Sequence, residues 1–208
     1  MKKLISRFHY LTQDLPNLSH QELAEIVCRN GIRWIQLRVK DKEFNEHLQI
    51  AKEVKTICDQ FQTTLIINDN VEICKIINAD GVHLGKNDMP VAEARKILGY
   101  SKIVGGTANT LEDILQLQKD GVDYVGLGPY KFTQTKKNLS TILGLDGYSQ
   151  IIKFSTHQIK IPIIAIGGIQ LEDVQSLINA GVYGIAVSSA INLTEDKESV
   201  IKDFLSFL

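Results

Sequence analysis

Short β-branched runs alternate along the whole chain with longer stretches whose apolar residues recur every three or four positions. The short runs have the composition of strands, and the longer stretches have the periodicity of helices with one apolar face. This alternation is typical of an α/β protein, because a helix is the usual connection between two parallel strands. The predicted strands lie near 8–12, 32–39, 64–68, 81–84, 103–107, 124–128, 162–167 and 184–188.

Two architectures share this pattern: a doubly wound open sheet and a closed (β/α)8 TIM barrel. The barrel is favoured because eight units of similar size follow one another with no linker, composition shift or low-complexity segment. We therefore predict a single TIM-barrel catalytic domain over residues 1–208. Two of its helices are expected at 19–29, where Ser19 and Glu22 form a capping box, and at 44–60.

Three similar phrases, "NADGVHLG", "KDGVDYVGLG" and "NAGVYGIAVS", look like the same joint between a helix and the next strand. Each places one glycine where the helix ends. A glycine accepts the positive φ that often terminates a helix, since it has no Cβ to clash with the backbone. The repeat predicts that Gly81, Gly121 and Gly181 have this structural role.

Composition excludes several classes of protein. The 208 residues are 44% hydrophobic with a formal net charge of −1, which fits a globular domain with a sizeable core and does not suggest nucleic acid as a partner. No apolar run is long enough to span a bilayer or to form a signal peptide, so no membrane association is expected and we predict a cytoplasmic location. A homo-oligomer is compatible with the sequence. Cys28, Cys58 and Cys74 are interpreted as reduced, buried thiols.

The second predicted strand carries polar residues at alternate positions. In "IQLRVKDK", Gln36, Arg38 and Lys40 share one face, while Leu37 and Val39 point to the helices. In a TIM barrel the chemistry is at the carboxyl ends of the strands, so this polar face is expected at the functional mouth. A salt bridge on a polar rim is one interpretation. Two cations in step with a glutamine favour binding of an anion.

The third and fourth strands are followed by two carboxylates. Asn68 and Asp69 end the third strand in "INDN", and Asp88 follows the fourth in "GVHLGKND". An ordinary turn would explain the first pair, and a helix cap before Pro90 would explain Asp88. Taken together, two carboxylates beside an amide suit Mg²⁺, which shares its coordination with water and phosphate oxygens. His83 is interpreted as a core histidine with satisfied hydrogen bonds.

The loop after the sixth strand reads "GPYKFTQTKKN" and is rich in hydroxyl and ammonium groups. Such a loop could be merely solvated, but its composition also suits wrapping around phosphate oxygens. The groups concerned belong to Thr133, Thr135, Lys136 and Lys137.

The last two strands end in "IAIGGI" and "AVSSAI", which place Gly167, Gly168, Ser188 and Ser189 at the mouth. TIM barrels often bind phosphate at this point through loop amides and the start of a short helix. The mouth is therefore predicted to hold two anions. One lies with a metal on strands two to four, and the other lies on strands six to eight.

The ordered motifs "QLRVK", "IND", "GVHLGKND", "GPYKFTQTKK" and "IGGI" resemble those of the thiamine-phosphate synthase family, also called thiamine-phosphate pyrophosphorylase. The likeness runs through nearly the whole chain, from "FHYLTQ" to "VSSAI". It implies a TIM-barrel transferase that condenses hydroxymethylpyrimidine diphosphate with a thiazole phosphate, carboxylated or not, to give thiamine phosphate and diphosphate. Both substrates are small molecules, and Mg²⁺ is the implied cofactor.

The resemblance also implies roles for individual residues. The metal carboxylates would be Asp69 and Asp88, and the catalytic cations would be Arg38, Lys40 and Lys136. The pyrimidine diphosphate would be bound by Gln36, Leu37, Arg38, Val39, Lys40, Asn68, Thr107 and Lys136. The thiazole phosphate would be bound by Thr133, Gln134, Thr135, Gly168, Ser188 and Ser189.

The chain departs from the family pattern at a few positions. Thr107 replaces a more usual serine, Lys86 and Asn87 replace Gln-Glu, and "NLSTILG" lacks the usual Ala and Pro residues. None of these changes removes an expected ligand.

Two other functions are compatible with the same barrel. Thiazole tautomerases resemble this chain but use a histidine shortly after the fifth strand, where the sequence has Asn109, and an amide cannot transfer a proton at neutral pH. The second competitor is a catalytically silent phosphate sensor. Retention of both aspartates argues against it.

Overall fold

Eight parallel strands close into a barrel in sequence order, as the alternating pattern predicts. The computed structural model describes residues 4–132, 141–155 and 157–208. Closure is made by β1, which pairs with both β2 and β8. The closed ring excludes the doubly wound alternative, because an open sheet leaves two edge strands. The strands are β1 Phe8–Leu11, β2 Trp34–Leu37, β3 Thr64–Asn68, β4 Gly81–Leu84, β5 Ile103–Ala108, β6 Tyr124–Leu127, β7 Ile163–Ile166 and β8 Gly184–Val187.

Helices follow the strands around the outside of the ring. The capping box predicted at Ser19 and Glu22 is present at the start of the first helix, and the second helix has its predicted bounds. Among the residues that the structure describes, no helix combines the length and apolar character needed to cross a membrane. The helices are α1 His20–Arg29, α2 Phe44–Gln60, α3 Val71–Ile76, α4 Val91–Leu98, α5 Leu111–Asp120, α6 Gly144–Ser155, α7 Val174–Asn179, α8 Ser189–Asn192 and α9 Lys197–Ser206, with a 3₁₀ turn at Leu171–Asp173.

Strand β2 is shorter than the sequence predicts, and its two lost ends have different causes. The amide of Ile32 donates to the carbonyl of Val27, 3.0 Å away, so this residue completes the end of α1. The amide of Arg38 donates to the Thr12 hydroxyl at 3.0 Å instead of to a neighbouring strand. The chain therefore leaves the ring at Arg38 and enters the mouth.

The glycine joint is confirmed at two of its three positions. Gly121 ends α5 with φ 86°, and Gly181 follows α7 with φ 98°. The prediction is wrong for Gly81, which is the first residue of β4; the positive φ in its joint belongs to Asn78, at 54°. Gly81 is needed for a different reason, since a Cβ there would lie 2.2 Å from the carbonyl oxygen of Ile103.

Two apolar cores lie on either side of the ring, because strand side chains alternate between its inner and outer faces. The outer core joins the strands to the helices and contains Cys28, Cys58 and Cys74, which are buried and unpaired by disulfides, as predicted. The inner core fills the ring and is dominated by Trp34 and Tyr124. Its members are Leu11, Trp34, Ile66, Ile103, Tyr124, Ile164 and Ala186.

His9 completes this inner core and is buried within it. Its ring stacks on Trp34 with centroids 4.2 Å apart and meets the edge of Tyr124 at 5.0 Å. One ring nitrogen is 3.0 Å from the Ser6 carbonyl oxygen. Burial lowers the pKa of His9 to about 3, since the charged form loses its hydration. The ring is therefore neutral in the folded protein at neutral pH.

This pKa predicts a loss of stability in mild acid. Below pH 6.5 the unfolded chain takes up a proton at His9 that the folded protein refuses until about pH 3, so unfolding becomes easier as the pH falls through this window. We expect His9→Phe to remove about 2 kcal/mol of the stability lost between pH 7 and pH 5, measured by chemical denaturation. The control is His157→Gln at an exposed position. Equal pH dependence in wild type and His9→Phe would contradict the assignment.

Candidate active site

The top layer of the barrel interior is polar, in contrast to the aromatic layer beneath it. Gln36, Asn68, His83 and Thr107 all belong to strands, and the first three are buried. The register places Asn68 beside His83, and His83 beside Gly105. The Nε2 of Gln36 donates to the Oδ1 of Asn68 at 2.7 Å. The predicted strand-end residues therefore meet at one end of the ring.

The segment after Gln36 separates polar from apolar side chains as predicted. Leu37 and Val39 are buried in the outer core against the helices, so only their backbone groups can face the mouth. Arg38 is partly exposed. Burial lowers the pKa of Arg38, while Asp69 acts in the opposite direction, and an arginine remains cationic at neutral pH.

Lys40 is held at both its backbone and its side chain. Its amide donates to Asp14 at 3.1 Å, and the other oxygen of Asp14 is 3.1 Å from the Nε2 of the buried His20. Its ammonium is ion-paired with Asp69. The rim salt bridge considered from the sequence is thus present. Asp14 and His20 were not predicted. Asp14 is 26 residues from Lys40, and no local sequence signal connects them.

The "INDN" segment divides three tasks among three adjacent side chains. Asn68 contacts Gln36, as described above. Asp69 has a positive φ of 65°, and its amide donates to the His83 carbonyl oxygen at 2.8 Å. Asn70 caps α3 by accepting from the amide of Ile73 at 2.8 Å. The capping role that an ordinary turn would suggest therefore belongs to Asn70, which leaves Asp69 directed at the mouth beside Lys40.

Asp88 lies against the top of β4 and does not cap the next helix. Its Oδ2 accepts from the Gly85 amide at 2.6 Å, whereas the N-cap of α4 is Pro90, which makes no side-chain cap bond. The helix-cap interpretation is therefore wrong. The Asp88 and Asp69 carboxyls lie close enough to shift each other's pKa, so the two predicted metal ligands meet.

The two carboxyls have opposite pKa shifts. Burial and the neighbouring Asp69 carboxyl raise the pKa of Asp88. Burial acts to raise the pKa of Asp69 as well, but the hydrogen bonds to Lys40 and Asp88 outweigh it and leave this pKa lowered. Two carboxylates in contact repel unless a proton or a cation lies between them. The pair therefore has the charge of a cation-binding site.

Thr107 contacts a histidine that the sequence assigned only to the core. Its hydroxyl is 3.0 Å from the Nε2 of His83, and the Nδ1 of His83 is 3.0 Å from the Tyr124 hydroxyl. The interpretation of His83 as a core histidine with satisfied hydrogen bonds is consistent with these contacts. The connection to Thr107 was missed, because the two residues lie on different strands and are 24 positions apart in sequence.

The far side of the mouth is formed by the turns after β7 and β8. Gly167 and Gly168 have positive φ values of 100° and 69°. A Cβ on Gly168 would lie 2.7 Å from the carbonyl oxygen of Phe132, so the segment after β6 packs directly on this turn. Ser188 precedes α8, which begins at Ser189. The predicted ligands Thr133, Gln134, Thr135 and Lys136 lie outside the described residues.

An unpredicted clamp joins the segment after β6 to the segment after β7. Lys131 donates through its ammonium to both oxygens of Asp173, at 2.7 and 2.8 Å, and through its amide to the Gly167 carbonyl oxygen at 2.8 Å. The Tyr130 amide donates to the Ile166 carbonyl oxygen at 2.9 Å. These bonds fix the position from which the "FTQTKK" stretch departs.

Ser188 is also fixed by residues that were not predicted. Its hydroxyl donates to the Leu11 carbonyl oxygen at 3.1 Å and accepts from the Nδ2 of Asn192 at 3.0 Å. Asn192 is buried and also bonds to Tyr10. The four-residue spacing of Ser188 and Asn192 was the available signal, since these positions share one face of a helix.

Comparisons with known proteins identify the family of this barrel. Residues 11–191 match the family model described as thiamine monophosphate synthase. The chain belongs to the thiamine monophosphate synthase family. It is a transferase of thiamine biosynthesis, and its activity is the synthesis of thiamine phosphate.

Individual relatives match over nearly their full length. The chain is 53% identical to a thiamine-phosphate synthase of Flavobacterium psychrophilum, covering 95% of this chain and 97% of the relative. It is 46% identical to one of Phocaeicola vulgatus, covering 95% of each. A solved thiamine phosphate pyrophosphorylase of Pyrococcus furiosus has a TM-score of 0.85 at 29% identity, covering 97% of this chain and 94% of that one.

Two residues singled out in the sequence have structural explanations, Lys86 as a departure from the synthase pattern and Asn109 as a difference from the tautomerases. Lys86, two residues before Asp88 in the sequence, forms an ion pair with Asp113 at 2.6 Å. Asn109, which stands where the tautomerases have a histidine, donates through its amide side chain to the Gly128 carbonyl oxygen. Asn109 therefore supports the backbone at the end of β6, a role that requires no proton transfer.

The close approach at Gly168 predicts an unequal effect of two glycine substitutions. Gly168→Ala and Gly121→Ala both place an alanine at a positive φ, which costs about 1–2 kcal/mol. Only Gly168→Ala also drives a Cβ into a neighbouring segment, since no described atom lies within 4 Å of a Cβ at Gly121. We expect Gly168→Ala to lower the free energy of unfolding by about 1–3 kcal/mol more than Gly121→Ala. Equal losses in denaturant titrations would show that the contact is not tight.

Proposed function

We propose that this enzyme condenses 4-amino-2-methyl-5-(diphosphooxymethyl)pyrimidine with a thiazole phosphate in a Mg²⁺-dependent reaction that releases diphosphate. The observation that carries the proposal is the meeting of cations and carboxylates at one mouth. Lys40 is ion-paired with Asp69, and the Asp69 and Asp88 carboxyls are near enough to shift each other's pKa. Arg38 lies between Leu37 and Val39, which point away from this mouth.

The arc from β2 to β5 has the chemistry to bind the pyrimidine diphosphate. Arg38 and Lys40 supply positive charge for the phosphate oxygens. The Oδ1 of Asn68 accepts from Gln36, so its Nδ2 is the donor that it presents. Thr107 adds a hydroxyl on β5. Leu37 and Val39 contribute through backbone groups, because their side chains are in the outer core.

Asp69 and Asp88 fit a magnesium ion, which they would hold together with the substrate. The described residues contain no group of three or more His, Cys, Asp and Glu side chains placed to hold a metal. Two carboxylates suffice for Mg²⁺, which commonly takes one or two and completes its shell with water and phosphate oxygens. When bound, it would neutralise charge on the departing diphosphate.

The proposed chemistry requires no side-chain nucleophile. The bond between the pyrimidine methylene and the diphosphate breaks, and the electron-rich aminopyrimidine stabilises the resulting cation. Arg38, Lys40 and Lys136 stabilise the negative charge that grows on the diphosphate. The thiazole nitrogen then bonds to the methylene carbon. The enzyme accelerates this step by holding the two reactants in contact.

The opposite arc is assigned to the thiazole phosphate. Gly168 and the start of α8 follow the carboxyl ends of β7 and β8, and we assign their backbone amides to the phosphate; the hydroxyl of Ser188 is already bonded to the Leu11 carbonyl. Ser188 is therefore proposed to act through its backbone, with Ser189 beside it. Thr133, Gln134 and Thr135 are assigned to the same phosphate, and Lys136 to the diphosphate, on the family motif alone.

An end-point assay with purified substrates tests the function directly. We expect thiamine phosphate and diphosphate to form in equal amounts when Mg²⁺ is present, and neither to form when the metal is chelated. The catalytically silent sensor would bind pyrimidine diphosphate but release no diphosphate when thiazole phosphate is added. Product formation that persists undiminished in chelator would contradict the metal dependence.

Asp69→Asn and Asp88→Asn test the metal site. Both variants keep the size of the side chain, and asparagine tolerates the positive φ at position 69, so we expect folding to remain nearly intact by circular dichroism. Turnover should fall at least about a hundredfold, because a charged ligand is lost where charge develops. Excess Mg²⁺ should restore part of the substrate affinity. The matched control is Glu46→Gln, which removes an exposed carboxylate paired with Lys42.

Failure of either variant to fold would make that aspartate structural and remove it from the metal assignment.

A cytoplasmic location and a homo-oligomeric state stay predictions. Cell fractionation and light scattering of the purified enzyme are the measurements that test them.

A further inference from the structure

A chain of three hydrogen-bonded side chains runs from the inner core up to the mouth. The Tyr124 hydroxyl is 3.0 Å from the Nδ1 of His83, and the Nε2 of His83 is 3.0 Å from the Thr107 hydroxyl. Tyr124 and His83 are both buried. Only Thr107, partly buried at the top of β5, reaches the layer where the substrate is proposed to bind.

The Tyr124 hydroxyl determines which group donates and which accepts in both hydrogen bonds. Burial raises the pKa of Tyr124, so its phenol keeps its hydrogen, and among the described residues its hydroxyl has one hydrogen-bond partner that can accept it, the Nδ1 of His83. A phenol that donates to Nδ1 requires that nitrogen to be an acceptor, which places the ring hydrogen of His83 on Nε2. Nε2 then donates to the Thr107 oxygen. The hydroxyl hydrogen of Thr107 is left to be donated elsewhere.

The barrel makes specific room for this arrangement. A Cβ on Gly105 would lie 2.3 Å from the Tyr124 ring, and a Cβ on Gly126 would lie 3.2 Å from the Cε1 of His83. Gly105 is paired with His83 in the strand register, and Gly126 with Thr107. Any larger residue at Gly105 or Gly126 would therefore displace the ring of Tyr124 or of His83.

We propose that Tyr124 and His83 are positioning residues for the reaction, holding Thr107 so that its hydroxyl hydrogen is directed at an oxygen of the pyrimidine diphosphate. The inference rests on the proposed function, in which Thr107 contacts this substrate. A hydrogen bond to the diphosphate strengthens as negative charge grows on the leaving group. The relay therefore acts mainly on turnover and only weakly on substrate affinity.

A double-mutant cycle tests the relay. Tyr124→Phe keeps the ring against Trp34 and removes only the hydroxyl. We expect it to lower kcat about tenfold with little change in KM for the pyrimidine diphosphate, and Thr107→Val to lower kcat at least as much. Because both act on one hydroxyl, adding Tyr124→Phe to Thr107→Val should cause less than a twofold further loss.

Ring nitrogen NMR provides a readout that a purely structural role would not move. The wild-type spectrum should show His83 with its hydrogen on Nε2, and Tyr124→Phe should shift the ring towards the other tautomer. Tyr183→Phe is the control, since its exposed hydroxyl donates to the Ile5 carbonyl at the other end of the barrel, and it should change neither kcat nor the His83 signals.

The outcomes separate this inference from the function on which it rests. A full tenfold loss on adding Tyr124→Phe to Thr107→Val, or an unchanged His83 tautomer in Tyr124→Phe, overturns the relay and leaves the role of Thr107 intact. If Thr107→Val changes neither turnover nor affinity, the proposed contact of Thr107 fails, and the relay fails with it. The thermal midpoints of all variants show whether a loss of activity reflects unfolding.

Discussion

Limited space inside an eight-stranded ring is the constraint on which the remaining structure depends. Side chains from alternate strand positions must fill that space completely. Trp34 and Tyr124 occupy most of one layer, and His9 fits against both rings. Aromatic rings of this size leave little room at the same level, and His9 is accommodated there as a neutral ring. Gln36 and Asn68 lie in the next layer, where they meet at the mouth.

Electrostatics in that upper layer are dominated by groups that neutralise one another. Lys40 compensates the charge of Asp69, and Asp69 in turn contacts Asp88. The backbone amides of both ion-paired residues are also fixed. The Lys40 amide donates to the Asp14 carboxylate, and the Asp69 amide donates to the His83 carbonyl oxygen. The ion pair is thus part of a connected framework, so the charged groups of the proposed site are positioned by contacts within the protein.

Most of the fold could be predicted from sequence because its signals are local. Strand and helix periodicity gave the ring and its order, and the Ser19 capping box gave the start of α1. The joint at Gly81 was misinterpreted, since the repeated phrase carries no information about a Cβ clash with Ile103 across the sheet. Asp88 was ambiguous for a similar reason: its partner Gly85 depends on how the turn folds back.

The candidate site was predictable to the extent that strand ends define it. The residues of "QLRVK" and "IND" came from alternation and position along the barrel. Supporting partners such as Asp14 and Asp173 did not, because they act through contacts between segments that are distant in sequence. Such contacts become visible only when the chain is closed into a ring.

The glycine opposite Tyr124 has an evolutionary consequence. Gly105 cannot gain a side chain while the ring of Tyr124 occupies that volume, and a smaller residue at 124 would leave a cavity beside Gly105. Either single step passes through a destabilised protein, whereas a simultaneous exchange of bulk between the two positions conserves volume. In an alignment of related barrels positions 105 and 124 should therefore covary, with a larger residue at one accompanied by a smaller residue at the other.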